Sequence, residues 1–209
     1  MSNPKPRGRP RTFHREAALE TAMMLFWRHG YEGTSIADLT EALGVTPPTL
    51  YAVFGSKEQL YREVLAHYVS RGVDTERVMD PAVSAYQTIA HHMRVSAERF
   101  TDPSGPRGCM VSSASLYCGA ENEAARTAAT ALRANTLALM VKKLEWAKHV
   151  GELPADADTL ALARFYSSII QGMSIQAVDG ASAAELHRMV DLALAAWPGK
   201  QPEARAQIE

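Results

Sequence analysis

The chain has little cysteine, with Cys109 and Cys118 the two in 209 residues, nine positions apart. That excludes a scaffold built on disulfides. It also lacks a long apolar run: the longest uncharged stretch, residues 165–178, carries Ser167, Ser168, Gln171 and Gln176, too short and too polar to cross a bilayer. No membrane partner is expected. The major catalytic signatures are missing too, with no G-x-S-x-G, no phosphate-binding glycine loop, no H-E-x-x-H and no C-x-x-C. The expectation is a protein that is not an enzyme and holds no cofactor. The opening residues MSNPKPRGRP contain no apolar secretory run, so the expected compartment is the cytoplasm.

What is present begins with charge. The net charge is −1, but Lys5, Arg7, Arg9, Arg11 and Arg15 place five positive charges on the first fifteen residues, leaving the remainder at −6. A basic tip of this kind either solubilises the chain or meets nucleic acid. Residues 1–12, rich in Pro, Gly and Arg, read as a mobile arm. With 46% apolar residues, the rest can bury a core of one or two domains.

From Phe13 the apolar spacing is helical. Ala18, Leu19, Ala22, Leu25 and Phe26 form one stripe, stopped by Gly30, which predicts a helix over about 13–29. Thr34 or Ser35 can cap a second helix whose inner face is Ile36, Leu39 and Leu43, ended by Gly44. Thr46 can cap a third, with Pro47 at its first position, Leu50 and Phe54 on its inner side and Gly55 at its close. Ser56 and Gln59 have capping-box spacing before a fourth helix, which reaches about Gly72.

Beyond Asp80 and Pro81 the helices lengthen. The pattern predicts a helix from about Tyr86 to Phe100, a loop over 102–107, a short apolar segment over 108–118 and a long helix over about 121–149. A further helix ends near Val178, and a last one, opened by a Ser182/Glu185 box, runs to Trp197 and Pro198. No segment alternates with period two. The fold class is therefore all-α, divided into a small amino-terminal domain over 13–72, a larger carboxy-terminal domain over 73–200 and a tail over 201–209.

Two short helices joined by a Gly-containing turn over about 34–54 form a helix-turn-helix pattern. The first helix props the second outward, so that it can enter a major groove about 12 Å wide. Burying Leu50 and Phe54 turns Pro47, Pro48, Thr49, Tyr51 and Ala52 away from the core, and Lys57 falls in the first turn of the next helix, where a phosphate can be met.

The run from Phe13 to Leu65 resembles the amino-terminal domain of the TetR/AcrR family of bacterial transcriptional regulators. The resemblance is carried by Ala22, Leu25-Phe26, Gly30-Tyr31, Thr34-Ser35-Ile36, Leu39, Gly44-Val45-Thr46, Leu50-Tyr51, Phe54, Ser56-Lys57 and Leu60. Thr40, where the family usually has a small apolar residue, and the double proline made by Pro48 depart from the pattern. The resemblance implies a homodimer that binds a palindromic double-stranded operator, most commonly as a repressor, and releases it when a small molecule enters the carboxy-terminal domain. Carried over by position, Thr34 and Thr46 would be phosphate-directed caps. Pro47, Pro48, Thr49 and Ala52 would face base edges, and Tyr51 and Lys57 would clamp phosphates. Since that reading face holds no Arg, Lys, Asn or Gln, the expected readout is apolar contact with thymine methyls, one Thr49 hydrogen bond and DNA shape.

Pro6-Arg7-Gly8-Arg9-Pro10 resembles the core of an AT-hook, so Arg7, Arg9 and the neighbouring Arg11 are candidates for a narrow A/T minor groove or for phosphates alone. In the larger domain, Met93, Phe100, Cys109, Met110, Tyr117, Met140, Trp146 and Met173 are candidates to line an effector cavity or simply to form core. Gly108-Cys109-Met110-Val111 resembles a Gly-Cys motif of one branch of the family, some of whose members sense electrophiles, oxidants or copper. A reactive Cys109 would need a cation such as Arg107 or a helix amino terminus to lower its pKa, whereas a thiol buried among aliphatics is inert. A soft-metal reading would recruit His91 or His92, Met93, Cys109 and Cys118, but their spacing matches no recognised metal motif. For the dimer interface the candidates are Phe165, Ile169, Gly172, Met189, Leu194 and Trp197, on the last two helices, which the family pairs across a two-fold axis.

Overall fold

The computed structural model describes residues 14–72, 78, 80–113 and 122–199. Among them are nine helices and no strand: α1 Arg15–His29, α2 Ile36–Leu43, α3 Pro47–Phe54, α4 Lys57–Ser70, α5 Ala85–Thr101, α6 Met110–Ser113, α7 Glu123–His149, α8 Thr159–Val178 and α9 Ala183–Ala195. The arm over 1–12, the expected helix start at Phe13 and the tail over 201–209 lie outside the described residues.

The helix ends follow from local chemistry. Ser35 opens α2 with a complete capping box: its Oγ accepts the Asp38 N–H at 3.1 Å, and the Asp38 carboxylate accepts the Ser35 N–H at 2.7 Å. Those hydrogen bonds from Ser35 hold the Asp38 carboxyl below its usual range. Gly44 then ends α2 at φ 65°, ψ 34°, a left-handed conformation that costs an L side chain about 1 kcal/mol or more. Ser56 caps α4 through the Gln59 N–H, and Ser182 with Glu185 forms the box that opens α9. The α5 amino terminus has a distant cap as well. Glu152, just past α7, accepts the Ala85 and Tyr86 N–H groups at 2.9 and 2.8 Å, which ties the two helices together.

Two cores result. In the first, Leu39, Leu50, Phe54, Leu60, Val64 and Leu65 pack with Ala22 and Phe26 of α1; Leu50 is fully buried, worth about 2 kcal/mol to the seating of α3. The second is built by α5, α7, α8 and α9 around Met93, Leu144, Tyr166, Met173 and Leu186. Helix α7 belongs to both, giving Ala125 and Ala129 to the first and Met140, Leu144 and Ala147 to the second. At about 1.5 Å per residue it is long enough to run across both domains. Gly108 lies where α6 meets α8: at φ 82°, with a Cβ that would come 2.9 Å from the Ser174 carbonyl oxygen, it leaves no room for a side chain.

Candidate DNA-reading face and effector cavity

The outer side of α3 is built as its pattern predicts. Thr46, Pro47, Pro48, Thr49, Tyr51 and Ala52 are all exposed, Tyr51 at 46%, while Leu50 and Phe54 are buried beneath them. Thr46 stands at the N-cap position with extended φ and ψ, yet its hydroxyl makes no bond to the helix backbone. It meets the Thr49 hydroxyl instead, 3.0 Å between the Oγ1 atoms.

Two neighbouring residues behave otherwise than expected. Thr34 is 1% exposed, and its hydroxyl donates to the Gly30 carbonyl at 2.8 Å, so the turn before α2 consumes it and it has no side chain to offer a phosphate. The capping role falls to Ser35. Lys57 is half-buried, its Nζ 4.3 Å from the centre of the Tyr31 ring. Burial lowers its pKa, opposed by Glu32 and Asp38 nearby, so part of its charge is answered within the protein. Arg7, Arg9 and Arg11 lie outside the described residues.

In the larger domain a cavity of about 100 Å³ opens between α4, α5, α6, α7 and α8. Of the expected lining residues, Phe100, Cys109 and Met140 reach it. Met93, Met110 and Met173 are buried in the cores with at most 2% exposure. Trp146 packs against that core under the Lys143 ammonium, 4.3 Å away. These four are corrected to packing residues, and Tyr117 lies outside the described residues. What pattern reading missed is the polar half of the wall: Tyr68, His92, Arg99, Arg133 and Gln171. Arg133 donates to the Val111 carbonyl at 2.7 Å, and burial lowers its pKa. His92 is lowered to about 4 by burial, by the Arg99 charge and by His91, so it is neutral at physiological pH.

Cys109 stands at the border of the two cores. Its N–H donates to the Ser174 Oγ at 2.8 Å, and its side chain lies beside Tyr68, whose phenol is pushed up chiefly by burial. Arg107, the cation considered as its activator, is spent elsewhere: its guanidinium donates to the Ala177 and Ala181 carbonyls at the end of α8. Among the described residues no group of three His, Cys, Asp or Glu is placed to hold a metal ion.

The last two helices carry an exposed apolar face. Phe165 is 41% exposed, and Ile169, Gly172 and Met189 are partly exposed. Leu194 and Trp197, at 2% and 6%, are corrected to core: the stripe that holds them closes onto α5 and α8 within one protomer, with Tyr86 and Tyr166 against the Trp197 ring. Ile175 and Leu192, at 59% and 76%, were not expected on this face. No helix among the described residues is long and apolar enough to cross a membrane.

Comparison with known proteins agrees with this geometry. Residues 18–64 match the family described as bacterial regulatory proteins of the tetR family, and residues 85–192 match the tetracyclin repressor-like C-terminal domain. The chain is 39% identical over 199 residues to the HTH-type transcriptional repressor ComR of Escherichia coli (strain K12), covering 93% of each. It is 44% identical to the TetR family transcriptional regulator CifR, solved as a cysteine mutant complexed with 26-bp double-strand operator DNA. That match has a TM-score of 0.85 and covers 91% of this chain and 100% of CifR. The reduced form of E. coli NemR, at 20% identity and TM-score 0.75 over 91% of this chain and 98% of NemR, shares the fold. The chain belongs to the TetR family of bacterial transcriptional regulators.

Proposed function

We propose that the protein is a cytoplasmic repressor that occupies a palindromic operator as a homodimer and leaves it when a small molecule fills the α4–α8 cavity. The observation that carries the reading is the exposed outer side of α3, residues 46–49, 51 and 52, held out by the buried Leu50 and Phe54. ComR is named a repressor and CifR is described on operator DNA, which supports the same direction here. Pro47, Pro48, Thr49 and Ala52 face the bases, Tyr51 and Lys57 face phosphates, and Arg7, Arg9 and Arg11 follow the minor groove or the backbone beside them. The domains divide near residue 73. Phe165, Ile169, Gly172, Ile175, Met189 and Leu192 form the face shared by two copies, since apolar side chains this exposed on adjacent helices favour a partner. Sequencing the genomic fragments retained by the purified protein, followed by anisotropy titration of the recovered site, tests the reading. A preferred palindrome bound by two protomers is the expected result, and binding without sequence preference would refute it.

A second reading rests on Cys109, whose side chain lines the same cavity, so a thiol-reactive electrophile could act as the signal. A Cys109→Ser variant that keeps operator binding but ignores such an electrophile would favour it over a reversible ligand.

A further inference from the structure

The α4–α8 cavity has a mixed wall: Phe100, Met140 and Ile170 are apolar, and Arg99 and Arg133 bring two guanidinium groups. No Asp or Glu is among the described residues that line it. Arg99 enters none of the ion pairs found among the described residues. Its guanidinium lies 5.1 Å over the Tyr68 ring and against Gly72, where an added Cβ would sit 1.6 Å from Nη1. The acids of the adjoining cleft are engaged elsewhere. Glu20 takes Arg71 and His67, and Asp102 accepts the Ser104 N–H at 2.8 Å.

A guanidinium lining a cavity, with no carboxylate among the described lining residues to answer it, creates a positive potential there. Planar, bidentate recognition by Arg suits a carboxylate. Size narrows the body of the ligand: a cavity of about 150 Å³ accommodates benzene, and this one holds about 100 Å³. Resting on the reading of this cavity as the effector site, we propose that the effector is a small organic carboxylate whose apolar body is smaller than a benzene ring. Arg99 receives its charge, and its apolar body lies on Phe100, Met140 and Ile170. A bare inorganic anion leaves those apolar side chains uncovered, and a neutral isostere leaves the guanidinium charge unanswered.

The position of Arg99 also links occupancy to the other domain. Its guanidinium rests on the last turns of α4, and Tyr68 meets Trp27 of α1 edge-on, with ring centres 5.1 Å apart. A carboxylate bound to Arg99 competes with that contact and so bears on the seat of the DNA-reading helices.

Calorimetric titration of the full-length protein with the acetate-to-hexanoate series, the matching neutral amides and inorganic phosphate tests the assignment. The expected result is that a short-chain carboxylate binds at least tenfold more tightly than its amide. Arg99→Met removes that advantage, and Arg99→Lys restores part of it. Equal binding of acid and amide would overturn the proposal without recourse to a variant. So would phosphate binding as tightly as the carboxylates, unchanged carboxylate binding by Arg99→Met, or no binding of any carboxylate in the series. Anisotropy on the recovered DNA site separates this from the parent reading. Arg99-dependent carboxylate binding that leaves the DNA complex intact upholds the ligand class and refutes effector release. DNA release by the amide alone refutes the ligand class and upholds effector release.

Discussion

The Thr46 and Thr49 hydroxyls share one hydrogen bond across the exposed start of α3, 3.0 Å between their oxygens. One proton is consumed between them, so the pair has a single hydroxyl proton left for DNA. Thr49→Val keeps the shape of the side chain and removes its hydroxyl. Operator affinity is expected to fall by about 1 kcal/mol, roughly fivefold. Because Thr49 is exposed, thermal stability stays within about 0.5 kcal/mol of the wild type. Anisotropy across a KCl series checks the assignment to bases: the affinity drops while its dependence on salt stays the same, whereas a reduced dependence would move Thr49 to the phosphates.

The arm makes the opposite prediction. Removing residues 1–11 deletes Lys5, Arg7, Arg9 and Arg11. Each phosphate that these side chains neutralise steepens the plot of log affinity against log salt by about 0.9, so the plot flattens without them. The shortened protein is expected to bind more weakly at low salt and to converge on the full chain at high salt. Identical titrations at both extremes would leave the arm with no part in binding.

Exposure divides the last two helices into two kinds of position. Ile175→Asp or Leu192→Asp is expected to leave the protomer folded and convert dimer to monomer in sedimentation, because 59% and 76% of these residues faces outward. Trp197→Ala acts through the core, with an expected loss of about 3–5 kcal/mol in chemical denaturation. A dimer that survives both Asp substitutions would place the two-fold face elsewhere.

His92 sets a pH dependence. Its folded pKa of about 4 lies below the ordinary 6.5, so between those values the unfolded chain binds the proton more readily. Its contribution to stability is therefore complete above about pH 6.5 and is lost as pH falls toward 4. His92→Gln, which stays neutral, is expected to flatten the denaturation midpoint over that window by the equivalent of about 1–3 kcal/mol. An unchanged slope would assign the acid sensitivity to other groups.

The reading head was largely legible in the sequence because its determinants are local. Gly44, Pro47 and the Leu50/Phe54 spacing each fix a neighbouring turn of backbone, and each stands in the structure where the pattern put it. Adjacent hydroxyls were harder: Thr34 and Ser35 differ in role because one points into the Gly30 turn and the other at Asp38, a matter of geometry that composition does not carry. Periodicity likewise marked the α9 stripe as apolar without saying whether Trp197 meets its own α5 or a second copy. The cavity was the least legible feature. Arg99, Arg133 and Gln171 sit on three amphipathic helices where a polar residue reads as solvent-facing, and only the packing of distant segments turns them toward one space.

The two imino acids that open α3 have a consequence beyond their fixed backbone angles. A helix start ordinarily presents four unbonded amide hydrogens, which form a ready cradle for an anion. Pro47 and Pro48 remove two of them, leaving those of Thr46 and Thr49. The tip of this rod is thus a poor anion trap. Its hold on the sugar–phosphate strand must come from Tyr51 further along the rod and from flanking segments, so the bases it touches are set by how those contacts angle it into the groove.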